Sequence, residues 1–109
     1  MKLIIAVVNK RDMRTLHDAL VDGGFRFTEI SSTGGFLGAG NVTLLMGVED
    51  DRVDAVVELV RGACRWREEA MRIASPGASL HAEGVGSAVT VPVGGAQVFV
   101  LSIERVEHV

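Results

Sequence analysis

The sequence predicts one α+β domain with the element order β-α-β-β-α-β, a ferredoxin-like arrangement in which two helices cover one face of an antiparallel sheet. Three observations lead to this prediction. Residues 3–8 are a continuous apolar run, and residues 42–48 are apolar except for Thr43, which is typical of strands buried on both faces. Two other segments carry apolar residues at helical spacing. The length of 109 residues is that of a single domain.

The first strand and helix follow from residues 3–24. The run 3–8 is rich in β-branched residues and ends at polar ones. Asn9 or Asp12 is expected to cap the helix that follows. Gly23-Gly24 ends that helix, as glycine commonly does beyond the last turn. The apolar face of the helix consists of Met13, Leu16 and Leu20.

Residues 25–31 and 42–48 predict a long antiparallel hairpin with a glycine-rich turn. Four glycines lie within residues 34–40, interrupted by Phe36 and Leu37. Glycine lets backbone N–H groups approach a ligand closely, and such backbone concavities hold anions such as phosphate. One interpretation is therefore a ligand loop with apolar platforms for a flat molecule. The other is a loose hairpin loop with two exposed hydrophobic side chains.

The second half predicts a helix, a loop and a hairpin. Acidic residues 49–51 suit the positive end of a helix dipole. Segment 71–87 is rich in Gly, Ala and Ser without a periodic apolar face, so we expect a loop that is mobile without ligand. Residues 89–93 and 96–103 predict a C-terminal hairpin around Gly94-Gly95. The helical face consists of Val53, Val56, Val57, Val60 and Cys64.

Composition limits the possible partners. A net charge of −3 and a pI near 5.5 provide no basic surface for nucleic acid. The N-terminal apolar run is too short for a signal peptide, and no run reaches membrane-spanning length, so we expect a cytoplasmic protein without a membrane partner. Because the strands are apolar on both faces, the sheet face away from the helices needs a cover, and a homo-oligomer would supply it.

Catalytic and metal motifs are not found in the sequence. Gly40-Asn41 stands where a phosphate-binding loop of the Walker type needs Gly-Lys-Ser/Thr. His17, His81 and His108 do not have metal-ligand spacing, and Cys64 has no evident base nearby. We therefore expect a binding protein with no catalytic residue, metal or cofactor.

Five residues around the predicted hairpin suit a nucleotide. Arg26 offers a planar fork for phosphate or for stacking on a base, and Thr28 offers a hydroxyl. The Asn41 amide donates and accepts hydrogen bonds at once, as reading a base edge requires. Phe36 and Leu37 provide apolar cover. The alternative roles are a surface charge for Arg26, a strand former for Thr28 and a turn residue for Asn41. The clustering of all five residues around one hairpin favours a nucleotide site.

These motifs resemble the PII-like cyclic di-AMP receptor family of bacteria, within the nitrogen regulatory protein PII superfamily. The resemblance covers most of the chain and is most specific in residues 33–41, Thr-Gly-Gly-Phe-Leu-Gly-Ala-Gly-Asn. It implies that residues 1–109 are a single PII-like cyclic-dinucleotide-binding domain that forms a homotrimer. The other matching stretches are residues 1–8, 24–28, 47–54 and 93–100.

The resemblance also implies a non-catalytic receptor with one cyclic di-AMP in each cleft between subunits, which relays binding through loop rearrangement to an unknown downstream protein. Phe27 stands where the family usually has a small residue that contacts the ligand through its backbone, so it would either crowd the site or add stacking. His108 stands where a polar residue, commonly glutamine, reaches the ligand. The other implied ligand-binding residues are Arg26, Thr28, Gly35, Phe36, Leu37, Asn41 and Gly47.

Two other functions stay open from the sequence. One is a PII-like regulator of ATP or another adenine nucleotide, although few Lys or Arg residues lie near the glycine turn to hold a triphosphate. The other is a small ferredoxin-like enzyme or metal-tolerance protein that uses His17, Cys64 or His81. The lack of acid–base or metal-ligand spacing disfavours it.

Overall fold

The computed structural model describes residues 1–30, 40–72 and 88–109. Within these ranges, short 3-10 turns at Lys10–Asp12 and Asp50–Arg52 lead directly into the two helices. The helices and strands are β1 Lys2–Asn9, α1 Met13–Asp22, β2 Thr28–Ile30, β3 Asn41–Val48, α2 Val53–Ala63, β4 Arg67–Arg72, β5 Ala88–Val93 and β6 Ala96–Ser102.

The strands form two separate sheets. The main sheet has the order β2-β3-β1-β6, with every neighbouring pair antiparallel. Strands β4 and β5 pair only with each other among the described residues, and we call this two-stranded sheet the arm. An antiparallel sheet in this order with two helices is compatible with the predicted ferredoxin-like fold.

The core lies between the main sheet and both helices. Side chains in β1 and β3 alternate, so that every second residue faces the helices and is buried. Leu16 and Leu20 of α1 and Val56 of α2 are fully buried against them. The helical spacing therefore predicted the correct faces. The buried strand residues are Ile4, Ala6, Val8, Val42, Leu44, Met46 and Val48.

The other face of the main sheet is apolar but has little cover in a single chain. Ile5 stands between Leu45 and Phe99 in the strand register. Leu3 stands beside Leu101 in the same way. Phe99 and Leu101 are 49% and 44% exposed. The sequence was right that the strands carry apolar residues on both faces.

Strand β2 is shorter than the predicted strand 25–31. Phe25 is 8% exposed and joins the core instead of pairing in the sheet. Its backbone N–H donates to the carbonyl of Leu20 at 2.9 Å, which continues the closure of α1. Gly24 takes φ = +79°, a conformation that favours glycine, and turns the chain at this point. Burial of Phe25 therefore delays the start of the strand.

The predicted C-terminal hairpin is wrong in its pairing. Strand β5 pairs with β4 in the arm, whereas β6 pairs with β1 in the main sheet. Gly94 and Gly95 have φ of +89° and +76°, so the chain changes direction there without folding back on itself. The Gly95 N–H donates to the carbonyl of Cys64 at 2.5 Å, which fixes this crossing to the end of α2.

Strand β4 was missed by the sequence analysis. Its sequence, Arg-Glu-Glu-Ala-Met-Arg, is mostly charged, and both Glu and Ala are somewhat depleted in strands. The segment 71–87 was expected to be a loop, but residues 71–72 belong to β4. The rest of that segment lies outside the described residues.

Candidate functional site

A first cleft, the arginine cleft, brings together two of the predicted site residues. Arg26 and Gly47 both line it, and its volume is about 240 Å³. Arg26 lies just before β2 and is exposed, whereas Gly47 is the seventh residue of β3. Further lining residues, which the sequence analysis missed, are Met1, Phe25, Glu49 and Arg52.

The arginine cleft carries two guanidinium groups. The Arg52 guanidinium lies 4.2 Å from the centroid of the Phe25 ring, and its Nη2 donates to the carbonyl of Gly23 at 3.1 Å. Glu49 is the one carboxylate among the cleft's lining residues. The N-terminal amine lies 2.8 Å from Asp50 Oδ1 and lowers the pKa of that carboxyl. Two guanidinium forks beside one carboxylate suit an anionic ligand such as a phosphodiester.

Gly47 has space beside it within its own chain. A Cβ built there would meet Met1 Sδ at 3.7 Å and Ile103 Cδ1 at 3.9 Å, both ordinary contacts. Its φ is not in the left-handed region, because the positive-φ glycines of the described residues are 24, 40, 94 and 95. Neither packing nor backbone geometry in one chain requires glycine here. Glycine inside a strand commonly marks a close approach by another molecule.

Thr28 lies close to the arginine cleft, and Phe27 points away from it. Thr28 begins β2, is exposed and stands opposite Leu45, two residues before Gly47. The Phe27 ring packs against the core and meets the His17 ring edge-on, with the centroids 5.4 Å apart. The Phe27 side chain therefore packs on the helix side of the sheet. Only the backbone of this residue adjoins Arg26 and Thr28.

Asn41 lines a different cleft, which we call the amide cleft. Its volume is about 360 Å³. Asn41 begins β3 and stands opposite Asn9 in the register with β1. Three side-chain amides, from Asn9, Asn41 and Gln97, give this cleft groups that donate and accept hydrogen bonds, as a base edge requires. Gly94, Gly95, Val7 and Ala96 complete the lining.

The two clefts lie at opposite ends of β3. Asn41 is the first and Gly47 the seventh residue of this eight-residue strand. At the rise of an antiparallel strand, six steps separate them by about 20 Å. The clefts have no lining residue in common. One base or one phosphate therefore does not contact both Arg26 and Asn41 of the same chain.

The remaining predicted site residues are not brought into either cleft. Gly35, Phe36 and Leu37 lie outside the described residues. His108 is exposed in the C-terminal segment after β6, and neither cleft includes it. Its assignment as a ligand residue stays a prediction from the resemblance.

Comparison with known proteins decides the family. The sequence model described as "Cyclic-di-AMP receptor" matches residues 1–109, the whole chain. The chain belongs to the cyclic-di-AMP receptor family. This family is part of the PII-like superfamily, as the resemblance indicated. Membership supports binding of cyclic di-AMP as a signalling receptor.

A solved structure shows the same fold. The crystal structure of a protein of unknown function from Pediococcus pentosaceus ATCC 25745 is 38% identical in sequence, with a TM-score of 0.75. The match covers 99% of this receptor chain and 96% of the other chain. The likeness therefore extends over nearly all of both chains.

The groups considered for catalysis or metal binding do not meet in the described part of the receptor. His17 is exposed on α1, whereas Cys64 is 2% exposed at the end of α2. Among residues 1–30, 40–72 and 88–109, no three His, Cys, Asp or Glu side chains cluster as metal ligands would. His81 lies outside these ranges. No described helix is long and apolar enough to cross a membrane.

An ion pair lies beneath the arm, where Cys64 is also buried. Asp12 was one of two candidate helix caps, but Asn9 Oδ1 accepts the capping hydrogen bond from the Arg11 N–H at 2.9 Å. Asp12, 4% exposed, instead accepts at Oδ1 from Arg67 Nη2 at 3.0 Å. Its Oδ2 has no hydrogen-bond partner among the described residues.

The environment of Cys64 keeps its thiol protonated. Burial raises the pKa of the Cys64 thiol to about 11; the Asp12 charge adds to the rise and the Arg67 charge opposes it. A cysteine nucleophile needs the thiolate, which a lowered pKa favours. Cys64 therefore suits core packing and does not suit nucleophilic catalysis.

The Cys64 pKa predicts a loss of stability in alkali. The folded protein holds the thiol proton up to a pKa of about 11, whereas the ordinary pKa of the thiol, which applies to the unfolded chain, is 9.0. The contribution is therefore complete below pH 9 and declines as the pH rises towards 11, with a slope of at most about 1.4 kcal/mol per pH unit. Urea unfolding of the wild type and of Cys64→Ala across this range tests it. Parallel pH profiles for the two proteins would refute the assignment.

Proposed function

We propose that this receptor is a non-catalytic signalling protein of the cytoplasm that binds cyclic di-AMP in clefts shared between the subunits of a homotrimer. In this account the arginine cleft of one subunit and the amide cleft of its neighbour hold the same ligand. Binding is relayed to a downstream protein by rearrangement of loops. Phe36, Leu37 and Gly35 complete the cleft, and His108 contributes a polar group.

The separation of the two clefts along β3 is the observation that carries the proposal. Their chemistry is complementary for a cyclic dinucleotide, because guanidinium groups suit its phosphodiesters and amides suit the edges of its bases. One chain holds these two parts about 20 Å apart, at a fixed strand spacing. A neighbouring copy can place its own half opposite, so that each ligand meets both kinds of group.

The open face of the main sheet supports the oligomer. Phe99 and Leu101 form an apolar surface together with the half-buried Leu3 and Ile5. A face of this kind on a small protein favours association, and most assemblies of identical subunits are closed and symmetric. Association of the sheet faces would bring the ends of β3 from different copies near one another.

A calorimetric titration tests the ligand class. Cyclic di-AMP is expected to bind, and cyclic di-GMP, ATP and AMP to bind far more weakly. Guanine carries a carbonyl where adenine has its exocyclic amine, so an amide or carbonyl arranged for adenine meets it with the wrong polarity. Equal affinities for both cyclic dinucleotides would refute the adenine preference. Tightest binding by ATP would favour the adenine-nucleotide alternative.

Gly47→Ala separates folding from ligand binding. The substitution meets no close atom within the chain, so the free energy of unfolding should be unchanged or higher by up to about 1 kcal/mol. Binding of cyclic di-AMP should weaken, because the added methyl occupies the surface that the ligand or neighbour approaches. Gly62→Ala is the matched control, since nothing lies within 4 Å of a Cβ there. If the folded Gly47→Ala protein bound cyclic di-AMP normally, Gly47 would not be part of the binding site.

A further inference from the structure

The 3-10 turn Lys10–Asp12 contacts both the amide cleft and the base of the arm. At one end, the Lys10 N–H donates to the carbonyl of Gly40 at 2.6 Å, directly before the start of β3. At the other end, Asp12 forms its ion pair with Arg67, the first residue of β4. The turn is capped by the preceding residue, so its two ends are held in one small rigid unit.

The base of the arm is fitted around Arg67. Its Nη1 donates to the carbonyl of Arg65 at 3.2 Å, while Nη2 binds Asp12. A Cβ at Gly94 would lie 2.9 Å from Arg67 Nη1 and would also collide with the Arg65 carbonyl. Only glycine therefore allows the chain after β5 to pass so close to the Arg65 carbonyl and this guanidinium.

The same crossing forms a wall of the amide cleft. Gly94 and Gly95, which lead from the arm into β6, line that cleft together with Asn41. Arg65 and Arg67 at the base of the arm thus adjoin Gly94, which forms one side of the space in front of Asn41. A group bound in the amide cleft faces the end of the arm.

We propose that Asp12 and Arg67 are positioning residues of the cyclic di-AMP site, which couple occupation of the amide cleft to the arm. The inference rests on the proposed function and adds the route by which the site communicates with β4 and β5. The ion pair fixes the arm to the turn that holds Gly40. Cyclic di-AMP bound near Asn41 then shifts the equilibrium between arrangements of the arm's base. Because such coupling is reciprocal, a displaced arm lowers the affinity for cyclic di-AMP by the factor by which the ligand shifts that equilibrium.

The burial of Asp12 gives this coupling two distinct states. Its side chain is 5% exposed and that of Arg67 is 34% exposed. A buried carboxylate that loses its cation is strongly destabilised, so the pair is either closed or broken together with local rearrangement. Small continuous shifts are disfavoured, and an element with two discrete arrangements is what transmits a binding event.

Trp66 provides an intrinsic reporter for the test. It is the one tryptophan of the sequence, it is 62% exposed, and it stands between Arg65 and Arg67. A Cβ at Gly95 would lie 3.8 Å from its ring, so the indole adjoins the crossing. Saturating cyclic di-AMP is expected to change the Trp66 emission of the wild-type protein.

The test compares three variants with the wild type by calorimetry and Trp66 emission. Asp12→Ala, and Asp12→Ala combined with Arg67→Met, should weaken cyclic di-AMP binding at least about fivefold and abolish the emission change at saturation. Asp12→Asn keeps an oxygen that accepts from Arg67 and should restore most of the emission change. Arg14→Gln, which removes one exposed arginine charge from α1, should leave affinity and emission change as in the wild type.

Circular dichroism and thermal melting identify which variants are folded. The double variant removes both charges of the ion pair, so it does not leave Arg67 without its carboxylate. A folded Asp12→Ala protein with wild-type affinity and emission change would overturn the coupling. So would wild-type binding that leaves Trp66 emission unaltered. Failure of the wild type to bind cyclic di-AMP would instead overturn the proposed function before any variant is compared.

Discussion

The antiparallel pairing of β3 with β1 is the constraint on which the candidate site depends. Eight consecutive register pairs, from Lys2 with Val48 to Asn9 with Asn41, hold the two strands without a bulge. This ladder buries one face of β3 under the helices and fixes the distance between its ends. The arginine cleft and the amide cleft are therefore separated by an element that does not stretch. A single base or phosphate therefore does not reach both clefts of one chain.

Local structure closes each end of β3 in a different way. At the Val48 end, the cation–π contact of Arg52 with Phe25 joins the turn before α2 to the end of α1. At the Asn41 end, the turn 10–12 joins β3 to α1 and to the arm. The chemistry of the clefts follows from these closures: the first exposes guanidinium groups, and the second gathers amides beside a glycine crossing. Signalling through the arm would use the second end.

Sequence patterns predicted the parts of the fold that depend on hydrophobic spacing. The faces of α1 and α2 and the strands β1 and β3 were confirmed, because burial of apolar residues specifies them locally. Pairing partners are set by contacts distant in the chain, so the β5 and β6 hairpin was wrong. The mostly charged β4 forms a strand because it pairs with β5. Its sequence has no apolar alternation from which a strand could be predicted.

The residue types that line the two clefts could be predicted from the sequence, whereas their arrangement could not. Residue chemistry selected Arg26 and Asn41, and the resemblance added Gly47. Sequence order does not reveal that one strand holds Asn41 and Gly47 at opposite ends. Arg52 and the Asp12 pair were missed for a similar reason. Arg52 reads as the end of an acidic capping segment, and Asp12 reads as a helix cap, until the fold brings Phe25 and Arg67 beside them.

A subunit-mixing experiment tests the shared cleft most directly. Arg26→Ala and Asn41→Ala each remove one half of every site, so each pure variant should bind cyclic di-AMP weakly. If the halves come from neighbouring copies, unfolding the two variants together and refolding them should restore tight binding at about a quarter of the clefts, as random assembly of a closed ring predicts. Calorimetric stoichiometry measures that fraction. A mixture that recovers no tight sites would show that both residues act within one chain, and would contradict the account.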